Sequence, residues 1–131
     1  MIKIPDYIRM VQLDSMGEVT KERWIGTFQV KAVLTHADRF QLERMYNQLV
    51  PKDGEVSEDI KLRAASIAEL SVRVVKGPRW WDETASGQLM VDMDPLYDLL
   101  VQCNKESKNW SEELDKAAQM EPSNVVGKGS T

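Results

Sequence analysis

Five carboxylates, Asp82, Glu83, Asp92, Asp94 and Asp98, fall within seventeen residues, and oxygen ligands at that density are the raw material of a hard-cation site. Their spacing matches no calcium-loop pattern, and Asp94 stands directly before Pro95, where it reads as a helix cap. A solvated acidic surface is therefore expected, with no metal and no cofactor. The two residues suited to proton transfer or nucleophilic attack are each alone. His36 is the only histidine and Cys103 the only cysteine. Neither has an adjacent base or orienting group in the sequence, as covalent or general-base catalysis would require. Cys103 also lies on an apolar helical stripe, which reads as a small core residue. No reaction is indicated, and a non-enzymatic role is expected.

A different chemistry is offered by Pro78-Arg79-Trp80-Trp81-Asp82-Glu83, where two of the four tryptophans are neighbours. Adjacent indoles at a helix exit rarely both fit one small core. One can close the core while the other lies over the outer layer, or one can serve a protein interface, where Trp and Arg are enriched. The residues expected to meet a partner are Arg79, Trp80 and Trp81, with Trp110 in the last helix.

These residues need a scaffold, and composition bounds it. The 131 residues are 42% hydrophobic and 29% charged, which suits one folded domain with one core over residues 1–120. The net charge of −4 is uneven: residues 1–76 carry 12 basic and 11 acidic groups, residues 77–131 carry 5 and 10. A nucleic-acid backbone is a poor ligand for such a surface, because phosphate binding needs gathered Lys and Arg. No apolar run reaches the length of a membrane span, and MIKIPDY lacks the layout of a secretory signal, so a cytoplasmic protein without membrane contact is expected.

The periodicities predict an α+β domain in which an N-terminal antiparallel β-hairpin packs on three to four α-helices. Tyr7–Asp14 reads as a strand, followed by a turn at residues 15–18. From Trp24 to Leu34 the alternation puts Trp24, Phe28, Val30, Ala32 and Leu34 on one face. Gly26 falls on that same face without a side chain to pack, which marks a bulge or a close approach by another backbone. Thr35 with Asp38 opens a helix that carries Leu42, Met45, Tyr46 and Leu49 and stops at Val50-Pro51. Ser57 caps a second helix over 57–76, expected to be central. Its apolar residues wrap most of the circumference, leaving Lys61, Arg63, Glu69 and Arg73 outside until Gly77-Pro78 ends it. A third helix is predicted over 95–107 and a short fourth from Asn109, with a flexible tail over 121–131.

The order of these parts resembles a family. A G-x-F-x-V-K strand (Gly26, Phe28, Val30, Lys31), an alanine-rich helix and a P-x-W-W exit (Pro78, Trp80, Trp81) come first. A G-x-L-x-x-D segment (Gly87, Leu89, Asp92) and a last helix with Trp110 follow. Across roughly residues 24–118 this layout resembles small morphogenesis proteins of tailed bacteriophages, the tail assembly chaperones in particular. The resemblance implies a non-enzymatic protein of the host cytoplasm that binds other phage proteins, tape-measure or tail-tube subunits, and guards their apolar helices until the tube polymerises. It admits a homo-oligomer. The N-terminal hairpin departs from the largely helical members of that family. It keeps open a structural virion component, a head, connector or baseplate protein, ahead of a small enzyme or metal-binding domain.

Overall fold

The computed structural model describes residues 2–120. The tail predicted over 121–131 lies outside the described residues. Two nine-residue strands, β1 (Ile8–Met16) and β2 (Arg23–Lys31), form the expected antiparallel hairpin, with Val11 opposite Phe28 and Leu13 opposite Gly26. Alternation sends Val11, Leu13 and Ser15 inward and leaves Met10, Gln12, Asp14 and Met16 exposed, as a half-buried sheet requires. At Gly26 the close approach is by a proline ring: an added Cβ would meet Pro78 Cγ at 2.5 Å.

The first helix, α1 (His36–Leu49), starts at the expected Thr35, whose hydroxyl accepts from the Asp38 amide while the Asp38 carboxylate accepts from the Thr35 amide. Lys31 Nζ reaches Asp38 at 2.7 Å and ties the end of β2 to that first turn. The side chains of α1 are half-buried at most, and its inner face lies along α2 (Glu58–Arg73). Burial in α2 starts only at Ala64, so Ile60 and Leu62 stay exposed and the helix is central in its second half alone.

Two expectations about α2 are overturned at its end. The helix stops at Arg73, three residues short of the predicted boundary, because β-branched Val74 and Val75 turn extended and join the free side of β2 as β3 (Val74–Lys76). The sheet therefore has three strands in the order β1-β2-β3, with a bulge at Gln29/Val30. Arg73, expected outside, is buried. Its Nε donates to the Lys31 carbonyl, Nη2 to the Ala32 and Cys103 carbonyls and the Ser107 hydroxyl, and Nη1 to Glu69 and Asn104. Helical spacing alone puts residue 73 beside Glu69; only the tertiary acceptors explain why it turns inward.

A short helix, α3 (Arg79–Glu83), follows, then α4 (Asp94–Gln119). The latter is one helix where two were predicted. Nothing between Ser107 and Trp110 breaks it, since there is no Gly or Pro. Ser107 spends its hydroxyl on the Ala32 and Cys103 carbonyls, and Asn109 does not cap. At the start of α4, Asp94 is the first helical residue and its carboxylate accepts from the Glu18 amide, so it does not serve as the N-cap. The core is one layer deep: Val11, Leu13, Phe28 and Val30 of the sheet meet Leu70 of α2, Trp81 of α3, and Leu96, Leu99 and Cys103 of α4. Among the described residues no helix is long and apolar enough to cross a membrane.

Replacing Arg73 by alanine would strand the Lys31, Ala32 and Cys103 carbonyls in the interior. The expected loss is about 3–5 kcal/mol in urea unfolding, as for other buried charge pairs that lose one partner. A loss under about 1 kcal/mol would show that water replaces the guanidinium freely.

Candidate functional site

Pro78 starts α3, and consecutive side chains on a helix diverge by about 100°. Trp81 therefore turns into the core, 4% exposed, with its ring edge-on to Phe28 at a centroid distance of 5.6 Å. Trp80 turns sideways along β2. It is half-buried, lies 4.9 Å from Trp24 and 5.6 Å from Phe28 in edge-to-face contacts, and donates Nε1–H to the Ile25 carbonyl at 2.9 Å. Gly77 permits this crowding, since a Cβ there would lie 3.0 Å from both Phe28 and Trp81. Arg79 is fully outside, its side chain 90% exposed, with Glu83 at 4.0 Å. Trp81 thus has no face left for a partner, while Trp80 is only half-buried.

Trp110 is placed elsewhere. Its indole nitrogen donates to the Pro5 carbonyl at 2.9 Å, pinning the N-terminal segment to α4. Its ring helps to line a groove of about 390 Å³ between the strand exit and the helices, walled by Leu34, Arg39, Leu42, Glu69 and Ser111. Arg73 and Ser107 form the base. A second hollow of about 480 Å³ lies along α1 beside Leu42, Glu43 and Tyr46, sharing Arg39 and Leu42 with the first. The four residues expected to meet a partner are thus split between the α3 corner and this groove.

The acidic segment is not a solvated surface throughout. Asp92 is buried and accepts from the Thr20 hydroxyl, the Val19 and Thr20 amides at 2.9 and 3.1 Å, and Trp24 Nε1 at 3.4 Å. The Thr20 hydroxyl, with the two amides and the indole behind it, holds the carboxyl below the usual carboxylate range against the opposing effect of desolvation. Asp98 accepts from Ser15 Oγ at 2.5 Å. With Asp94 on the Glu18 amide, three of the five carboxylates fasten the end of β1 and the β1–β2 turn to the start of α4 and the segment just before it. Asp82 and Glu83 remain exposed. Among the described residues no three His, Cys, Asp or Glu side chains gather as a metal site would need.

Cys103 sits in the core, and burial pushes its thiol up to about 11, which keeps it protonated and unreactive at neutral pH. His36 is exposed on the first turn of α1. What the groove offers is apolar contact from Leu34, Leu42 and Trp110, framed by Arg39 and Glu69; the guanidinium beneath it is already engaged at every nitrogen. The sequence gives one signal for this base, a lone arginine inside the apolar run Val72 to Val75. No protein-family model, curated protein or solved structure matches the chain.

Alanine at Trp81 should cost about 3–5 kcal/mol, the range for emptying a buried aromatic site, and alanine at half-buried Trp80 distinctly less. Equal losses in chemical denaturation would contradict the placement of the two rings. Gly17 tests the acidic fastening, because a Cβ there would fall 2.0 Å from Asp92 Oδ2. Gly17→Ala is expected to lower the melting temperature by several degrees, reflecting about 1–3 kcal/mol of overpacking; an unchanged melting curve would refute the tight contact.

Proposed function

We propose that this protein is a non-catalytic assembly factor that holds an apolar helix of another protein in the groove between α1 and α4, as a bacteriophage tail assembly chaperone would. The partners in this reading are tape-measure or tail-tube subunits, met in the host cytoplasm. The observation that carries it is the groove itself. Leu42 and Trp110 line it, Arg39 and Glu69 frame it, and its base is sealed by a guanidinium whose hydrogen bonds are all spent within the fold. An amphipathic helix laid there would seat apolar side chains at i, i+3 or i+4 on Leu42 and Trp110 and present a carboxylate to Arg39.

The α1 helix favours the same use. It lies against α2 on one side and carries no fully buried residue, so its groove side keeps side chains free to adapt to an incoming helix. The chemistry-bearing groups elsewhere serve the fold: Asp92, Asp94 and Asp98 hold the hairpin turn, and Arg9 bonds Glu113 in a two-pronged pair at 2.9 and 3.1 Å.

Co-producing the full chain with the tape-measure and tail-tube subunits that this reading assigns to it should keep one of them soluble and bound. Arg39→Glu and Leu42→Glu should abolish that capture while leaving the circular dichroism unchanged. Failure to capture either subunit, or capture indifferent to both substitutions, would defeat the groove reading. Stoichiometric copies of the protein in finished particles would overturn the chaperone role in favour of a structural component.

A further inference from the structure

The long edge of the sheet points to a second use. Hydrogen bonds at the two ends of the hairpin, from the Ala32 amide to the Tyr7 carbonyl and from the Gly17 amide to the Glu22 carbonyl, fix which residues of β1 face β2. Both pairs follow the strand register, and in an antiparallel ladder hydrogen-bonded pairs alternate with non-bonded ones. The odd-numbered residues of β1 therefore aim their N–H and C=O groups at β2. The even-numbered residues, Met10, Gln12, Asp14 and Met16, aim theirs at the opposite edge, where the sheet order β1-β2-β3 places no strand. Among the described residues only the Ile8 amide on that edge has an acceptor, Asp6 Oδ1 at 3.0 Å.

Natural edges of this length are usually blunted by Pro, Lys, a bulge or brevity. Here β1 has nine residues paired without a break, contains neither Pro nor Lys, and has both of its charges paired within the fold, outward-facing Asp14 with Arg23 at 2.7 Å and inward-facing Arg9 with Glu113 at 2.9 Å. We infer that this edge binds the same edge of a second copy of the chain, antiparallel about a two-fold axis at Gln12. The centre of Ile8–Met16 is Gln12, so this register is the one that uses the whole strand. It sets Gln12 against Gln12, Asp14 against Met10 and Met16 against Ile8 of the second copy, with no like charges opposed. On the inner face it sets Arg9, already paired with Glu113, against Ser15 of the second copy, whose hydroxyl donates to Asp98, so no like charges meet there either. On the outer face it brings together Met10 and Met16, each 60% exposed, which a lone sheet leaves to water.

This surface is separate from the groove, so its fate is independent of the proposed function. Sedimentation of the full chain should show a monomer–dimer equilibrium. Gln12→Glu and Gln12→Lys, on an exposed position, should each weaken the dimer roughly tenfold or more by opposing like charges across the axis. An equimolar mixture of the two variants should restore it, since only two-fold pairing at residue 12 sets Glu against Lys. In the unmodified protein, the amides of Met10, Gln12 and Asp14 should exchange with solvent slowly at high concentration and quickly on dilution. A wild-type monomer at all concentrations, charge variants that dimerise as well as wild type, a mixture that fails to recover, or fast exchange at these three amides would each overturn the proposal.

Discussion

The arrangement of elements depends on one guanidinium. Where β2 leaves the sheet, the Lys31 and Ala32 carbonyls point inward with no strand to receive them, and buried carbonyls without donors are costly. Arg73 meets both, reaches the Cys103 carbonyl and the Ser107 hydroxyl on α4, and keeps Glu69 of its own helix as counter-ion. A planar fork can satisfy acceptors in several directions at fixed angles, which an ammonium cannot. The end of β2, the end of α2 and the middle of α4 are thereby brought to one point. The groove exists because α1 has to leave from immediately beyond it, held by the Lys31 to Asp38 pair.

Asp92 plays the matching part at the other end of the core. The β1–β2 turn offers the Val19 and Thr20 amides and the Thr20 hydroxyl to a single buried carboxylate, and Gly17 leaves it room. Between the two polar clamps lies the aromatic group of Trp24, Phe28, Trp80 and Trp81, whose edge-to-face contacts fill the space between sheet and α3. A one-layer core has little apolar depth, so fixing its two ends by directional bonds limits how far the helices can slide over the sheet.

What was legible in the sequence is what local chemistry decides. The hairpin followed from period-two alternation, the start of α1 from Thr35 and Asp38, the start of α2 from Ser57, and the core placement of Cys103 from its stripe. What was hidden depends on partners distant in the chain. Helical spacing places Arg73 outside because it cannot know that two carbonyls wait at residues 31 and 32. The end of α2 was hidden by the same logic, since Val74 leaves the helix only because β2 has a free side to offer. Asn109 resembled a cap, yet Ser107 satisfies its own local carbonyl and α4 runs on. Of the candidate site, Trp110 stood out as an aromatic of the last helix expected to meet a partner, but the groove it joins is made by three segments that no local pattern connects.

The two surfaces left over have a geometric relation that follows from the fold. The helices α2 and α4 pack on the inner face of the sheet and α1 lies outside them against α2, while the free edge of β1 lies in the sheet plane. A two-fold axis that pairs one antiparallel edge with its own copy runs perpendicular to that plane, so two joined copies would carry their helical layers on the same side of one continuous six-stranded sheet. The two grooves would then open from a common face in opposite directions along it. A partner that presents two apolar helices would engage such a face at two points. The second contact would form at a high effective concentration set by the rigid sheet between the grooves, so that weak, individually reversible grips would suffice to hold the partner until its own subunits compete for it.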